Sequence, residues 1–357
     1  MNIAFRVDAS DQIGTGHFMR CLTLADALKQ RGAQIRFISQ DLPMYLQEML
    51  TAKALEFVSL AIGATPASID DLVHAHWLGA SQAQDAQATV QTLSGQMFDW
   101  LVVDHYALDY RWESVLRGTA KRIMVIDDIA DRRHDCDVLL DQNFYADMDS
   151  RYIGRVPDGC QLLLGPRYAL LRDEFIKLHQ LIKLRSGPVK RLFVFFGGVD
   201  ADNYTGLVVE ALSGLDIPVL HVDVVVGVNH PNLIQIKTAC DHHGYAYHVQ
   251  TDKMGELMAA ADMAIGAGGA ASWERCCLSL PTVIVAVADN QINIAKGLDS
   301  VGAAVYIGTS AEVNIEIVQH AIIALANRGD LVKELSSKAF SLVDGLGVER
   351  VCQTMRC

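Results

Sequence analysis

Gly14-Thr15-Gly16-His17 sets two glycines and an imidazole behind an apolar run, Ile3-Ala4-Phe5-Arg6-Val7, that ends at Asp8. Phe18, Cys21, Leu22, Ala25 and Leu28 follow at helical spacing, and Gly32 is a stop signal. The pattern predicts a strand, a glycine turn and a helix. In an open α/β sheet such a turn is where backbone N–H groups meet anions and catalytic groups stand. Glycine lets the backbone approach a ligand closely, and histidine, with an unperturbed pKa of about 6.5, suits proton transfer near neutrality. Gly14 and Gly16 are therefore candidate ligand-binding positions and His17 a candidate base. A structural turn with a helix-capping histidine accounts for the same residues. The dinucleotide fingerprint fits poorly, because Met19 stands where the third glycine of G-x-G-x-x-G belongs. Arg6 and Asp8 join the binding candidates. Asp8 or another strand-end carboxylate is also a candidate to orient the imidazole.

A second constellation is Ala264-Ile265-Gly266-Ala267-Gly268-Gly269-Ala270-Ala271-Ser272-Trp273-Glu274. A strand ends, small residues follow and a helix begins. Gly266, Gly268 and Gly269 expose amides suited to a diphosphate. Glu274, one turn into the helix, is placed to accept hydrogen bonds from a ribose diol, or merely to offset the helix dipole. Pro281–Ala286 reads as a buried strand whose C-terminal end meets Asp289-Asn290-Gln291; these polar residues belong at a cleft or simply begin the next helix. Gly197-Gly198, after the strand 191–196, offers further backbone donors or a plain βα turn. Asp127-Asp128 raises the thought of a metal, but adjacent side chains on a strand point to opposite faces, so no metal is expected.

Elements that alternate along the chain must position these groups. Strands are predicted near 2–8, 34–39, 55–59, 100–104, 122–127, 137–141 and 161–164, and helices over 80–97 and 170–184. Beyond Ser186-Gly187-Pro188, strands fit 191–196, 219–227, 245–249, 262–265, 282–287 and 304–307. Helices fit 203–214, 232–243, 253–260, 271–279, 291–300, 311–328, 331–342 and 347–356. Alternating β and α predicts two doubly wound, Rossmann-like parallel sheets facing a central cleft. The expected domains are 1–186, carrying the histidine loop, and 187–357, with the last helices packing back on the first.

The 357 residues suit two domains, and 51% hydrophobic content with a mean hydropathy of +0.19 describes a well-packed chain. A formal charge of −12 and a pI near 5.4 argue against nucleic acid and anionic membranes as partners. No apolar run approaches a membrane span of about 18 residues. The eight cysteines include no C-x-x-C, and His74 and His76 have no metal-ligand partners nearby in sequence. Met1–Phe5 lacks a signal-peptide pattern. The expectation is a reducing cytoplasm, with a monomer favoured although spacing does not fix oligomeric state.

Phe5-Arg6-Val7-Asp8-Ala9-Ser10 with Ile13-Gly14-Thr15-Gly16-His17-Phe18-Met19-Arg20-Cys21-Leu22-Thr23-Leu24-Ala25 closely resembles the opening of the pseudaminic acid pathway hydrolases, which act on UDP-2,4-diacetamido-2,4,6-trideoxy-β-L-altropyranose. The resemblance continues through Val102–Tyr106, Ile126-Asp127-Asp128, Leu140–Asn143, Leu164–Arg172, Phe196-Gly197-Gly198, Gly266–Glu274 and Asn290-Gln291. Motifs of the second half are shared with the murein glycosyltransferases. The resemblance implies a GT-B fold and metal-free, cofactor-free attack of water at the anomeric carbon with inversion. His17 falls on the catalytic histidine, Tyr106 and Asn290 on positions beside the sugar or leaving group. The 266–269 turn, Glu274 and Gln291 fall on the UDP segment.

The alternatives are a UDP-sugar glycosyltransferase of the murein type, a hydrolysing 2-epimerase, and a non-catalytic UDP-sugar-binding protein. The acidic charge counts against a lipid acceptor. The opening motif fits the epimerase less well. His17 counts against a mere binder, since a diphosphate needs only backbone donors.

Overall fold

The computed structural model describes residues 1–10, 12–62, 70–215 and 220–356. The chain divides into two units. One comprises Met1–Asn143, Asp147–Leu170 and Gly347–Cys357, the other Phe144–Ala146 and Leu171–Leu346.

The first unit is built on strands β1 (Asn2–Val7), β2 (Gln34–Ser39), β3 (Glu56–Ser59), β4 (Phe98–Asp104), β5 (Ala120–Ile126), β6 (Val138–Asp141) and β7 (Gln161–Leu164). They form one parallel sheet in the order β3-β2-β1-β4-β5-β6-β7. Period-two alternation assigns its faces. Ile3, Phe5, Val7, Trp100 and Val102 join one apolar cluster with the helix Gly16–Gln30. Ala4, Leu101 and Val103 join another with Leu93 and Trp112. Arg6 falls on this second face and is wholly buried there.

The second unit carries β8 (Arg191–Phe195), β9 (His221–Val226), β10 (Ala246–Val249), β11 (Met263–Ala267), β12 (Thr282–Ala286) and β13 (Val305–Thr309). These form a parallel sheet in the order β10-β9-β8-β11-β12-β13. Leu192, Val194, Ile265, Val283 and Val285 anchor its core.

In both sheets the order reverses between two adjacent parallel strands, β1 beside β4 and β8 beside β11. Ligands of doubly wound sheets bind beyond the carboxyl ends of such strands. The Gly14–His17 turn follows β1, Asp104 ends β4, Gly197-Gly198 follows β8 and Gly268-Gly269 follows β11. Both predicted constellations therefore stand at switch points.

The predicted strands are all present, within a few residues; residue 219, the first of one, lies outside the described residues. Helices Met44–Ala52 and Tyr110–Leu116 were not anticipated. The expected helix 170–184 forms only over Asp173–His179.

The boundary falls at Leu170/Leu171 rather than at 186/187. The cause is packing. The Arg185 guanidinium donates to the carbonyls of Met258, Ala259, Ala261 and Leu278, and His179 stacks on Phe340 with centroids 4.3 Å apart. Both tie 171–186 into the second unit. The chain then returns. The helix Gly347–Thr354 sets Val348, Val351 and Cys352 into the first unit's core, and Trp100 Nε1 donates to Met355 O at 2.9 Å.

Candidate active site

The helix Gly16–Gln30 begins without a side-chain cap and without an acidic residue in its first turn. Its leading amides are thus left for another acceptor. Gly14 takes φ +75°, a backbone suited to glycine, and its N–H closes the turn on Ser10 O at 2.7 Å. Gly16 is exposed.

His17 does not cap the helix. Its Nδ1 lies 2.5 Å from Oδ1 of Asp104 at the end of β4. Arg20, one turn further along, donates Nε to Asp104 Oδ2 at 2.6 Å and Nη2 to Oδ1 at 2.7 Å. Burial opposes charge on Asp104, but the Arg20 guanidinium and His17 outweigh it and hold the carboxyl well below the usual carboxylate range. An ionised carboxylate only accepts, so Nδ1 carries a proton toward Asp104, and in the neutral imidazole the lone pair is on Nε2. Nε2 is then the basic atom of the site.

Arg20 also reaches Asp128 Oδ2 at 2.8 Å. Asp128 accepts from the Tyr106 hydroxyl and, at 3.0 Å, from Asn143 Nδ2. Burial and Asp128 keep the Tyr106 phenol protonated. Tyr106 is only 4% exposed, so its hydroxyl is turned inward and its ring meets His17 edge-on, with centroids 4.6 Å apart. Asp127 and Asp128 diverge, Asp127 facing Arg132 at 2.9 Å. Among the described residues no cluster of three or more His, Cys, Asp or Glu is disposed to hold a metal.

Arg6 and Asp8 sit deeper than the sequence suggested. Arg6 Nη1 binds Asp8 Oδ1 at 2.6 Å and Nη2 binds Asp85 Oδ2 at 2.5 Å. Asp8 also accepts from Ser39 Oγ and Gln40 N, and His105 Nε2 lies 3.2 Å from it. Both are at most 1% exposed. Their alternation toward the buried face makes them a brace under the turn rather than ligand contacts, and Asp104, not Asp8, orients His17.

In the second unit Gly266 is buried, and a Cβ there would stand 2.1 Å from Phe195 O. Its glycine serves the close approach of β11 to β8. The Gly268 N–H is occupied by Val285 O and by Gln291 Oε1, at 3.2 and 3.1 Å. Gln291 Oε1 also accepts from Val287 N at 3.2 Å, so this side chain staples the turn to the end of β12. The amides of Gly269, Ala270 and Ala271 carry no hydrogen bond among the described residues, so Gly269 keeps an open donor as predicted and Ala270 and Ala271 add two that were not. Beneath them lies fully buried Arg275, donating to Ala267 O at 2.6 Å and Ser272 Oγ at 2.9 Å. Among the described residues no carboxylate forms a direct ion pair with it, and burial lowers its pKa to about 10 against the weaker pull of Glu274. Sequence reading missed it, because an arginine in a short helix reads as solvent-facing and only its packed neighbours show it buried.

Glu274 is partly buried, 3.4 Å from Arg172 Nη2; burial pushes its carboxyl up against the pull of Arg172. Asn290 is exposed in the first turn of the helix Asp289–Ser300. Gly197, at φ +112°, and exposed Gly198 form the β8 turn. The carbonyl of Gly198 fills the space that a Cβ on Gly227 would need, 1.8 Å away.

Residues 191–346 match the model of the glycosyltransferase family 28 C-terminal domain. The chain is 27% identical over 260 residues to a UDP-2,4-diacetamido-2,4,6-trideoxy-beta-L-altropyranose hydrolase of Campylobacter jejuni, covering 72% of this chain and 81% of that protein. It is 22% identical over 356 residues to the spore coat polysaccharide biosynthesis protein SpsG of Bacillus subtilis, covering 98% and 96%. Among solved structures, Acinetobacter baumannii MurG superposes with a TM-score of 0.66 at 15% identity over 100% of this chain and 99% of that one. Arabidopsis thaliana UGT89C1 complexed with UDP gives 0.68 at 12% identity over 100% of both. These likenesses establish the fold class: α/β, GT-B-like, with two Rossmann-like domains. Among the described residues no helix is long and apolar enough to cross a membrane.

Proposed function

We propose that the chain is an enzyme acting on UDP-sugars, and specifically that it hydrolyses UDP-2,4-diacetamido-2,4,6-trideoxy-β-L-altropyranose to UDP and the free sugar. The observation that carries this reading is the His17–Asp104–Arg20 array, in which Asp104 holds the Nδ1 edge of the imidazole beside a glycine turn and Nε2 is the edge left to take a proton. The Campylobacter jejuni relative supports the substrate, and the glycosyltransferase family 28 match supports a UDP site in the second unit.

In this reading water gives a proton to His17 Nε2 as its oxygen bonds to the anomeric carbon. The bond from that carbon to the diphosphate oxygen breaks, and UDP leaves with the electron pair. Attack opposite the leaving group inverts the centre. Asp104 stabilises the imidazolium as it forms. UDP is already a good leaving group, so preorganised amides suffice for its charge. Gly269, Ala270 and Ala271, with Gly197 and Gly198, are assigned to the diphosphate. Glu274 is assigned to the ribose diol and Asn290 to the sugar or leaving group. Tyr106 shapes the imidazole's surroundings.

The test is UDP release from that sugar nucleotide with EDTA and no acceptor, in wild type and His17→Ala. Metal-independent release that falls by about 10²–10⁴-fold in the variant supports the hydrolase. Folded wild-type protein that binds UDP without releasing it overturns the reading. The family 28 match favours one rival, a glycosyltransferase; release that appears only with an added sugar acceptor selects it.

A further inference from the structure

Of the four tryptophans, Trp100, Trp112 and Trp273 are at most 2% exposed, whereas Trp77 is only partly buried. It stands on the short 3-10 helix Ala75–Leu78, anchored by buried Leu78 and ended by Gly79 in the left-handed region at φ +65°. Its indole stacks on the Tyr106 ring, with centroids 5.4 Å apart and planes 22° apart. His74 meets both rings, 4.6 Å from Trp77 and 5.2 Å from Tyr106. The His17 imidazole stands edge-on to both, 4.6 Å from Tyr106 and 6.1 Å from Trp77. Tyr106 is itself fixed by its hydrogen bond to Asp128 and by the Arg132 guanidinium 5.7 Å from its ring centre. An aromatic wall thus borders the basic nitrogen, and the stretch 72–78 that supplies it has no sequence motif.

We infer that Trp77 is a specificity residue whose indole takes the apolar face of the sugar being transferred to water. This rests on the hydrolase reading for the identity of the sugar nucleotide. The charged groups around His17 are already paired with one another, so the wall is the apolar side of the site and His17 its polar side. Ligand sites of this kind combine aromatic walls with a few placed polar groups. An indole face is electron-rich and attracts the polarised C–H bonds of a pyranose ring. A deoxy carbon and acetamido methyls add apolar area, each buried CH₂-sized group strengthening binding about 4-fold. A 6-deoxy-diacetamido sugar therefore gains more from Trp77 than a fully hydroxylated hexose does.

Affinities of UDP, UDP-glucose and UDP-2,4-diacetamido-2,4,6-trideoxy-β-L-altropyranose are measured by calorimetry in protein carrying His17→Gln to stop turnover. Each is repeated with Trp77→Ala and Trp77→Phe, following tryptophan emission in the same titrations. Trp77→Ala is expected to weaken the diacetamido sugar nucleotide about 10-fold, UDP-glucose about 3-fold and UDP not at all. Trp77→Phe is expected to restore affinity to within about 3-fold while losing the emission change that the sugar nucleotide produces. Equal weakening of all three ligands, no change in any, or no binding of any by folded protein overturns the inference. If wild-type protein releases no UDP but the affinities still separate in this order, the hydrolase reading fails and the wall stands. Should Trp77→Ala not fold, Trp77→Phe decides through the emission change.

Discussion

His17 and Asp104 are 87 positions apart in the chain and 2.5 Å apart at Nδ1 and Oδ1. One rides the first turn of a helix after β1, the other ends β4. Their meeting follows from β1 and β4 being neighbours in the sheet, with Val7 paired to Asp104. Arg20, on the same helix face as His17, keeps the carboxylate charged.

Replacing Asp104 by Asn removes the acceptor that sets the imidazole tautomer. An amide that presents its NH₂ to Nδ1 moves the ring proton to Nε2 and blocks the base. Asp104→Asn is expected to lower kcat for UDP release by about 10²–10⁴-fold with KM nearly unchanged. Steady-state kinetics on the sugar nucleotide check this. A kcat within a few-fold of wild type would show that Asp104 does not control the base.

Stability should fall in mild alkali. Burial opposes charge on His134, yet Glu113 and Asp127 outweigh it and raise its pKa to about 9. A raised pKa means stabilisation that is complete below the unfolded value of about 6.5 and lost as pH rises through about 9, worth on the order of 3 kcal/mol. Asp141, pushed up to about 8 by burial and Asp128, loses stability with rising pH in the same sense. Thermal melts from pH 6 to 9.5 should show a falling Tm, and His134→Gln should flatten the curve while lowering its acid side. A parallel, merely shifted curve would remove His134 as the cause.

The second-unit glycines separate into structural and ligand-facing positions. Gly266→Ala forces a Cβ to within 2.1 Å of Phe195 O, where no side chain can yield. A cost of about 3 kcal/mol is expected, or a Tm roughly 6–12 °C lower. At Gly269 the nearest atom to a new Cβ is Gln291 Nε2, at 3.6 Å. Gly269→Ala is expected to leave Tm within about 2 °C and to weaken UDP about 10-fold by crowding the open amides. Calorimetry of both variants checks this; the reverse pattern would exchange the two assignments.

The fold was largely legible because buried parallel strands are continuous apolar runs, as in Trp100–Val103 and Val283–Ala286. The switch points were legible as small residues at strand ends. The partners of those residues were not. Arg6 and Asp8 close a strand and Gln291 opens the helix after one, as ligand contacts do, and only the packed neighbours show Arg6 paired to Asp85 and Gln291 stapling the turn after β11 to the end of β12. Trp77 was invisible because a short 3-10 turn has no periodicity. The unit boundary moved because a glycine-proline break marks where the chain bends, whereas Arg185 decides which core the preceding segment joins.

The helix Gly347–Thr354 supplies Val348, Val351 and Cys352 to a core whose last strand ends at Leu164. During synthesis the first unit therefore waits, one apolar groove uncovered, until the whole second unit has emerged. Its final closure reports that translation has passed through both, so a chain broken off within the second unit would carry that groove exposed to chaperones and proteases.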